Sequence, residues 1–114
     1  MDMIKKIAAC AGLSIAALSQ PAWSITGNDL IGWIPDYERA TKSTFNSGMF
    51  LGYTAGVAEA TVGVLFCPPP EVTNGQNAAI VAKWLRQNPE RWAEPASNLV
   101  ITALQKAYPK CKDA

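Results

Sequence analysis

The sequence contains no histidine, only three cysteines and no polybasic block. Without histidine, a Ser-His-Asp triad, a Cys-His pair and the common zinc sites are excluded. Basic and acidic residues number ten and nine, so the formal net charge is only +1. A nearly neutral chain does not favour nucleic acid or an anionic membrane surface as the partner. We therefore predict no metal, no cofactor and no nucleic-acid partner.

Paired carboxylates are the remaining route to catalysis. Asp29 with Asp36, and Glu90 with Glu94, are expected at helix ends or in linkers, where capping and solvation explain them. Glu59 is the one acid within the most apolar stretch. A solvated face or a basic partner explains it, and a proton-transfer or recognition role is the alternative. We predict no catalytic residues and no enzyme activity.

Residues 1–24 have the pattern of a secretory signal peptide. Two lysines precede an apolar segment at 7–18, and residues 22–24 form a small-x-small cleavage site. The apolar segment is too short for a permanent membrane anchor. A retained N-terminal helix, or a lipid attached at Cys10, is the alternative. The predicted organisation is a signal peptide at 1–24 and one helical domain at 25–114.

Cleavage would remove one of the three cysteines and leave Cys67 and Cys111. An exported chain with an even cysteine count is typical of a disulfide-bonded protein. The bridge would close a loop of about 44 residues and stabilise the fold by ~4 kcal/mol. Such a staple matters in a chain this small, because its hydrophobic core is limited.

The longest predicted helix covers residues 47–66. Gly48, Gly52 and Gly56 recur at every fourth position and form a smooth strip along one face. Because each glycine costs about 1 kcal/mol relative to alanine in a helix, we predict that another helix packs closely on the strip. A ligand-binding role for the glycines is the alternative. Glu59 argues against a membrane-spanning dimerisation helix.

Three further helices are predicted from capping residues and apolar periodicity. No segment alternates apolar and polar residues as a strand would. The expected fold is all-α, a bundle of four to five helices around the glycine-rich central helix, with one disulfide. The expected landmarks are Asn28 and Ser47 as N-caps, Pro35 as the end or kink of the first helix, Thr73 and Gln76 as a capping box, Asn88 as the end of the third helix and Pro95 as the first residue of the fourth.

Short motifs follow one another through nearly all of the predicted domain. They are Thr26-Gly27-Asn28-Asp29-Leu30, Leu51-Gly52-Tyr53-x-x-Gly56-Val57, Phe66-Cys67-Pro68-Pro69, Val72-Thr73-x-x-Gln76, Trp84-Leu85-x-x-Asn88-Pro89-Glu90, Pro95-Ala96-x-x-Leu99-Val100, Ala103-Leu104 and Tyr108-Pro109. In this order they resemble the Rap/Tai immunity protein family. Its characterised members are small periplasmic helical proteins that protect bacteria from peptidoglycan amidases delivered by type VI secretion.

The resemblance implies a function. The protein would bind and inhibit a cognate amidase effector in the periplasm by filling the cleft of that enzyme, and a homodimer stays open. A small periplasmic acid-stress chaperone is one alternative function. An envelope-protein binding module on the same scaffold is another.

The sequence departs from the family pattern at three positions. Ile34 and Phe50 stand where the family often has cysteines, which suggests that these two positions face each other. Lys110 separates Tyr108-Pro109 from Cys111, whereas the usual ending has no intervening residue.

The partner-binding surface is expected outside the shared motifs. Glu71 and Asn74 flank the rigid proline segment, which would present side chains with little ordering cost. A second cluster is expected near the end of the third helix, where Trp and Arg are typical interface residues. For its tryptophan, packing back onto the third and fourth helices is the alternative. This cluster consists of Arg86, Arg91, Trp92 and Glu94.

Overall fold

The computed structural model describes residues 24–39 and 41–112, and this part of the chain is all-α, as predicted. It contains no strand, and none of its helices has the length and apolar character to cross a bilayer. The predicted signal peptide lies outside the described residues except for Ser24. The elements are α1 (Gly27–Arg39), α2 (Phe45–Thr61), α3 (Asn74–Gln87), a 3-10 turn (Pro89–Arg91) and α4 (Ala96–Ala107).

Helix α1 begins at Gly27 rather than after Asn28, because Thr26 and Asp29 close its first turn. The backbone N–H of Thr26 donates to Oδ2 of Asp29 at 2.9 Å. Pro35 was expected to end or kink the helix, but α1 continues to Arg39. Pro35 is exposed and has no N–H, so the helix continues through it with one backbone hydrogen bond fewer.

Helix α2 is the central helix, as predicted, because it contacts α1, α3 and α4. Its N-cap is Thr44 instead of Ser47, which is the third helical residue and completes a capping box with Thr44. The helix also ends at Thr61, earlier than predicted. Two residues later Gly63 adopts a φ of +83°, a left-handed backbone that turns the chain away from the helix axis.

The prediction that a helix packs on the glycine row is wrong for the described part of the chain. Gly48, Gly52 and Gly56 are exposed, and a Cβ built on any of them would meet nothing within 4 Å. The buried row of α2 starts at Phe50 and continues through Thr54 and Ala58. Residues two apart on a helix lie about 200° apart around its axis, so the glycines face the opposite way.

Helices α3 and α4 complete the core. Thr73 and Gln76 form the predicted capping box, and α3 ends before Asn88. Pro95 precedes α4 instead of forming its first residue. The two helices bury an apolar face each, as expected, and Ala107 at the end of α4 is exposed. Their buried apolar residues are Ala78, Val81, Ala82, Trp84, Leu85, Ala96, Leu99, Val100, Ala103 and Leu104.

The start of α1 is hydrogen-bonded to the segment that leads into α4. The backbone N–H of Gly27 donates to the carbonyl of Glu94 at 3.1 Å, and that of Ala96 donates to the carbonyl of Ile25 at 2.8 Å. A Cβ on Gly27 would lie 2.6 Å from Cδ1 of Leu99 and 2.9 Å from the backbone of Trp92. This close approach therefore requires glycine at position 27.

Candidate functional site

The segment that joins α2 to α3, residues 62–73, is the longest irregular stretch among the described residues, and we call it the proline loop. It opens with the turn around Gly63, in which the backbone N–H of Gly63 donates to the carbonyl of Phe66 at 2.9 Å. Three consecutive prolines follow Cys67. Because proline fixes φ and favours extended backbone, the loop has few conformations to lose on binding.

The middle of the proline loop is fixed to the core. Phe66 is 1% exposed, and its ring stacks on that of Tyr108 at a centroid distance of 6.0 Å. The predicted disulfide between Cys67 and Cys111 is confirmed, with Cα atoms 4.9 Å apart. The backbone N–H of Cys67 also donates to the carbonyl of Pro109 at 3.0 Å. These contacts hold the loop against the chain segment that follows α4.

The tip of the proline loop is apolar and exposed. Val64 is 75% exposed, Val62 45% and Leu65 40%. The carbonyl of Leu65 accepts a 3.2 Å hydrogen bond from Nε2 of Gln105, which connects the tip to α4. The sequence pattern did not indicate these residues, because the predicted central helix extended to residue 66 and included them. We call Val62, Val64 and Leu65 the loop tip.

A signal for the site was present in the sequence. From Phe45 to Ala82 the only charged residues are Glu59 and Glu71, although this stretch includes the whole outer face of α2. Both are exposed, Glu59 in the last turn of α2 and Glu71 within the proline loop. The exposed positions of this stretch thus carry no lysine or arginine, which is unusual for a solvated face and is typical of a surface suited to a partner.

A concave pocket of about 230 Å³ lies between the proline loop, the last turn of α2 and the first turn of α3. Its apolar wall comes mainly from Val62, Phe66, Val72 and the three prolines. Its polar lining consists of Glu59, Asn74 and Asn77. The pocket thus combines an apolar wall with carboxylate and amide groups.

Asn77 is the buried polar residue of this pocket, at 7% exposure. The hydroxyl of Tyr108 donates to its Oδ1 at 2.6 Å. Burial raises the pKa of Tyr108, which keeps this hydroxyl protonated as a donor. Oδ1 of Asn77 is therefore occupied, and the amide is oriented with its nitrogen away from Tyr108.

The two predicted partner-binding clusters lie at opposite ends of α3. Glu71 and Asn74 are exposed, Glu71 within the proline loop and Asn74 on the pocket wall. Arg86 lies in the last turn of α3 and pairs with Glu38 of α1. These hydrogen bonds lower the pKa of the Glu38 carboxyl, because they stabilise its charged form.

The other members of the second cluster are Arg91, Trp92 and Glu94. They lie in or just after the 3-10 turn, and their side chains bond to other residues of the same protein. Nε of Arg91 donates to Oε2 of Glu94 at 2.8 Å, which lowers the pKa of Glu94. The guanidinium of Arg91 lies 5.1 Å from the ring centroid of Trp84. Nε1 of Trp92 donates to the carbonyl of Leu85 at 2.6 Å. Trp92 thus packs back onto α3, which was the alternative to a partner-binding role.

The described residues show no arrangement for metal chemistry. Within 24–39 and 41–112, no three or more potential Cys, Asp or Glu ligands come together around one point. Thr54, which is fully buried on α2, donates to the carbonyl of Phe50 at 2.9 Å and is satisfied within its own helix.

A protein-family model described as Rap1a immunity proteins matches residues 26–111. The chain belongs to the Rap1a immunity family. Membership indicates an immunity protein that binds a cognate secreted effector, and such proteins are not normally catalytic. The match confirms the resemblance drawn from the motifs, and it includes the whole proline loop and both cysteines of the disulfide. A search of curated proteins gave no match.

Proposed function

We propose that this Rap1a-family protein acts in the periplasm, where it binds and inhibits a peptidoglycan amidase delivered by type VI secretion. The observation that carries the proposal is the proline loop. It presents an exposed apolar loop tip on a base fixed by Phe66 and the Cys67–Cys111 disulfide. The proposal further assumes that residues 1–24 are a cleaved export signal, and the disulfide is consistent with an oxidising compartment.

Inhibition would occur by occlusion. The loop tip would enter the substrate cleft of the amidase and exclude the peptide that the enzyme hydrolyses. Because the prolines and the disulfide already restrict the loop, little conformational entropy is lost on binding. Occlusion requires no catalytic group on the inhibitor, which agrees with the absence of histidine. We infer a protein that is not an enzyme.

The charges around the loop suggest the character of the partner surface. Glu59 and Glu71 are exposed carboxylates beside and within the proline loop, whereas Lys110 and Lys112, both exposed, flank the Cys111 that is bridged to this loop. An amidase cleft with an apolar interior, and with basic groups opposite Glu59 and Glu71, would be complementary to the loop tip and these two carboxylates. Asn74 belongs to the same surface. The second cluster, whose charged groups are already paired within the chain, would contribute at most a peripheral contact.

The experiment uses the full chain with a C-terminal tag, so that the cell processes its own N-terminus. Amidase effectors encoded beside the gene are purified and mixed with the tagged protein. We expect one stoichiometric complex at neutral pH and loss of peptidoglycan hydrolysis. Mass spectrometry of the exported protein should find Ile25 as the first residue. If no effector binds or loses activity, the proposed function is wrong.

The chaperone alternative makes a different prediction. Eight carboxylates and no histidine in residues 25–114 would place an acid switch near pH 3–5, from ordinary carboxylate pKa values of about 4. Many unfolded clients would then be retained at acid pH only. However, the loop tip is exposed without any such switch. A pull-down repeated at low pH separates the two functions.

A further inference from the structure

The pocket beside the proline loop contains a hydrogen-bond donor that the protein itself does not use. Asn77 is more than nine-tenths buried, and Oδ1 accepts from Tyr108, yet Nδ2 donates to no atom of the described residues. Every fully enclosed side-chain nitrogen or oxygen in the described part of the chain has a partner. Nδ2 therefore retains accessible surface, and the pocket that Asn77 lines provides the opening.

The position of Asn77 strengthens this donor. It lies in the first turn of α3, a helix of 14 residues, where the helix dipole is positive. The capping box satisfies the N–H of Gln76, and the carbonyl of Thr73 accepts from that of Asn77. A group that docks here meets an oriented amide N–H in a partly dry site, so an acceptor oxygen is favoured.

The second polar group of the pocket restricts what kind of acceptor fits. Glu59 is an exposed carboxylate on the same wall, and it makes no ion pair within the described residues. It disfavours an anion, but it accepts a hydrogen bond from an N–H group. A neutral amide has both an acceptor oxygen and a donor N–H. The remaining wall of prolines and valines suits the apolar side chain next to such an amide.

We propose that this pocket receives a backbone peptide group from a loop of the effector, with its carbonyl oxygen bonded to Nδ2 of Asn77. This inference rests on the proposed function and adds a second contact to it, beside the loop tip. Val62 belongs to both the loop tip and the pocket lining, and Phe66 of the lining directly follows Leu65 of the tip, so one effector cleft can engage both. Glu59 would accept a hydrogen bond from an N–H of the same effector segment.

The central variant is Asn77→Asp, which replaces the donor while leaving an oxygen for Tyr108. A carboxylate in the first turn of α3 is compatible with the helix dipole, so the fold should persist. We expect the dissociation constant for the effector to rise about tenfold or more, because the carbonyl of the partner then faces an oxygen. Asn98→Asp is the matched control, since Asn98 is exposed in the first turn of α4 and lies outside the pocket lining.

A second variant removes the donor by another route. In the double variant Asn77→Leu with Tyr108→Phe, both partners of the buried hydrogen bond become apolar, which is often nearly neutral for stability. Circular dichroism and thermal unfolding establish that each variant is folded. If Asn77→Asp does not fold, the double variant tests the contact in its place. It should also weaken effector binding about tenfold.

Each outcome has one meaning. If the wild-type protein binds no effector, the proposed function fails and this inference fails with it. If the wild type binds but both Asn77 variants bind equally well, the inference is overturned and the proposed function stands. If Glu59→Gln abolishes binding while Asn77→Asp does not, the occupant is a cation, which also overturns it. Weakened binding by the Asn77 variants, with Asn98→Asp unchanged, supports the peptide contact.

Discussion

The hydroxyl of Tyr108 donates a 2.6 Å hydrogen bond to Oδ1 of Asn77, which joins the end of α4 to the first turn of α3. Tyr108→Phe keeps the ring that stacks on Phe66 and removes only this bond. We expect the free energy of unfolding to fall by about 1 kcal/mol. In a domain of this size that lowers the thermal midpoint by roughly 4–8 °C. An unchanged midpoint would mean that water replaces the bond at no cost.

The disulfide should account for a large part of the stability. The bridge from Cys67 to Cys111 spans 44 residues. Replacing both cysteines with serine should lower the free energy of unfolding by about 4 kcal/mol, chiefly by freeing the unfolded chain. Urea unfolding of the oxidised, reduced and doubly substituted proteins measures this. If the three proteins unfold at the same urea concentration, the bridge does not stabilise the fold.

Two glycines should respond to alanine in opposite directions. Gly52→Ala lies on the exposed row of α2, where a Cβ meets nothing, and should raise stability by about 0.5–1 kcal/mol. Gly27→Ala would bring its Cβ to 2.9 Å from the carbonyl oxygen of Trp92 and should lower stability by about 1–3 kcal/mol. Thermal unfolding measures both. A destabilised Gly52→Ala monomer would restore the packing role first predicted for the row.

The glycine row also shows what the sequence could and could not predict. Capping chemistry is local, so the box formed by Thr73 and Gln76 and the end of α3 at Asn88 were predicted correctly. Helix α2 carries a single charge, Glu59, so its composition does not distinguish the inner face from the outer one. The glycines were assigned to packing because their cost is usually offset by close contact.

The candidate site was predicted only in part. Three prolines and a paired cysteine marked the rigid segment, and Glu71 and Asn74 follow the prolines, Glu71 within the loop and Asn74 as the first residue of α3. The loop tip was missed because apolar residues after a helix are normally assigned to the core, and only the left-handed turn at Gly63 exposes them. The role of Asn77 could not be predicted from the sequence. The orientation of its amide depends on the hydrogen bond from Tyr108, which lies 31 residues away along the chain.

The pH dependence of stability should reflect the paired glutamates. Arg86 and Arg91 hold the pKa values of Glu38 and Glu94 below the ordinary value of 4.5. A carboxyl with a lowered folded-state pKa contributes stability that is complete above the unfolded value and is lost as pH falls through the folded one. The thermal midpoint should therefore be steady near neutral pH and fall below about pH 4.

Glu38→Gln provides the control for this dependence. This variant should unfold at a lower temperature than the wild type at neutral pH, and the two curves should converge in acid. Both side chains of the pair are about half exposed, so the difference should shrink in high salt. Parallel curves at all pH values would show that the pair does not contribute to the pH dependence.

The central claim is that the loop tip occludes the effector, and inhibition by a matched pair of variants tests it most directly. Val64 and Phe45 are both strongly exposed, at 75% and 77%, but Val64 is in the loop tip and Phe45 begins α2. The account predicts that Val64→Ser raises the concentration needed to inhibit the amidase roughly tenfold, as for an interface hot spot, while Phe45→Ser leaves it unchanged. If Val64→Ser inhibits as well as the wild type, the proline loop is not the inhibitory element.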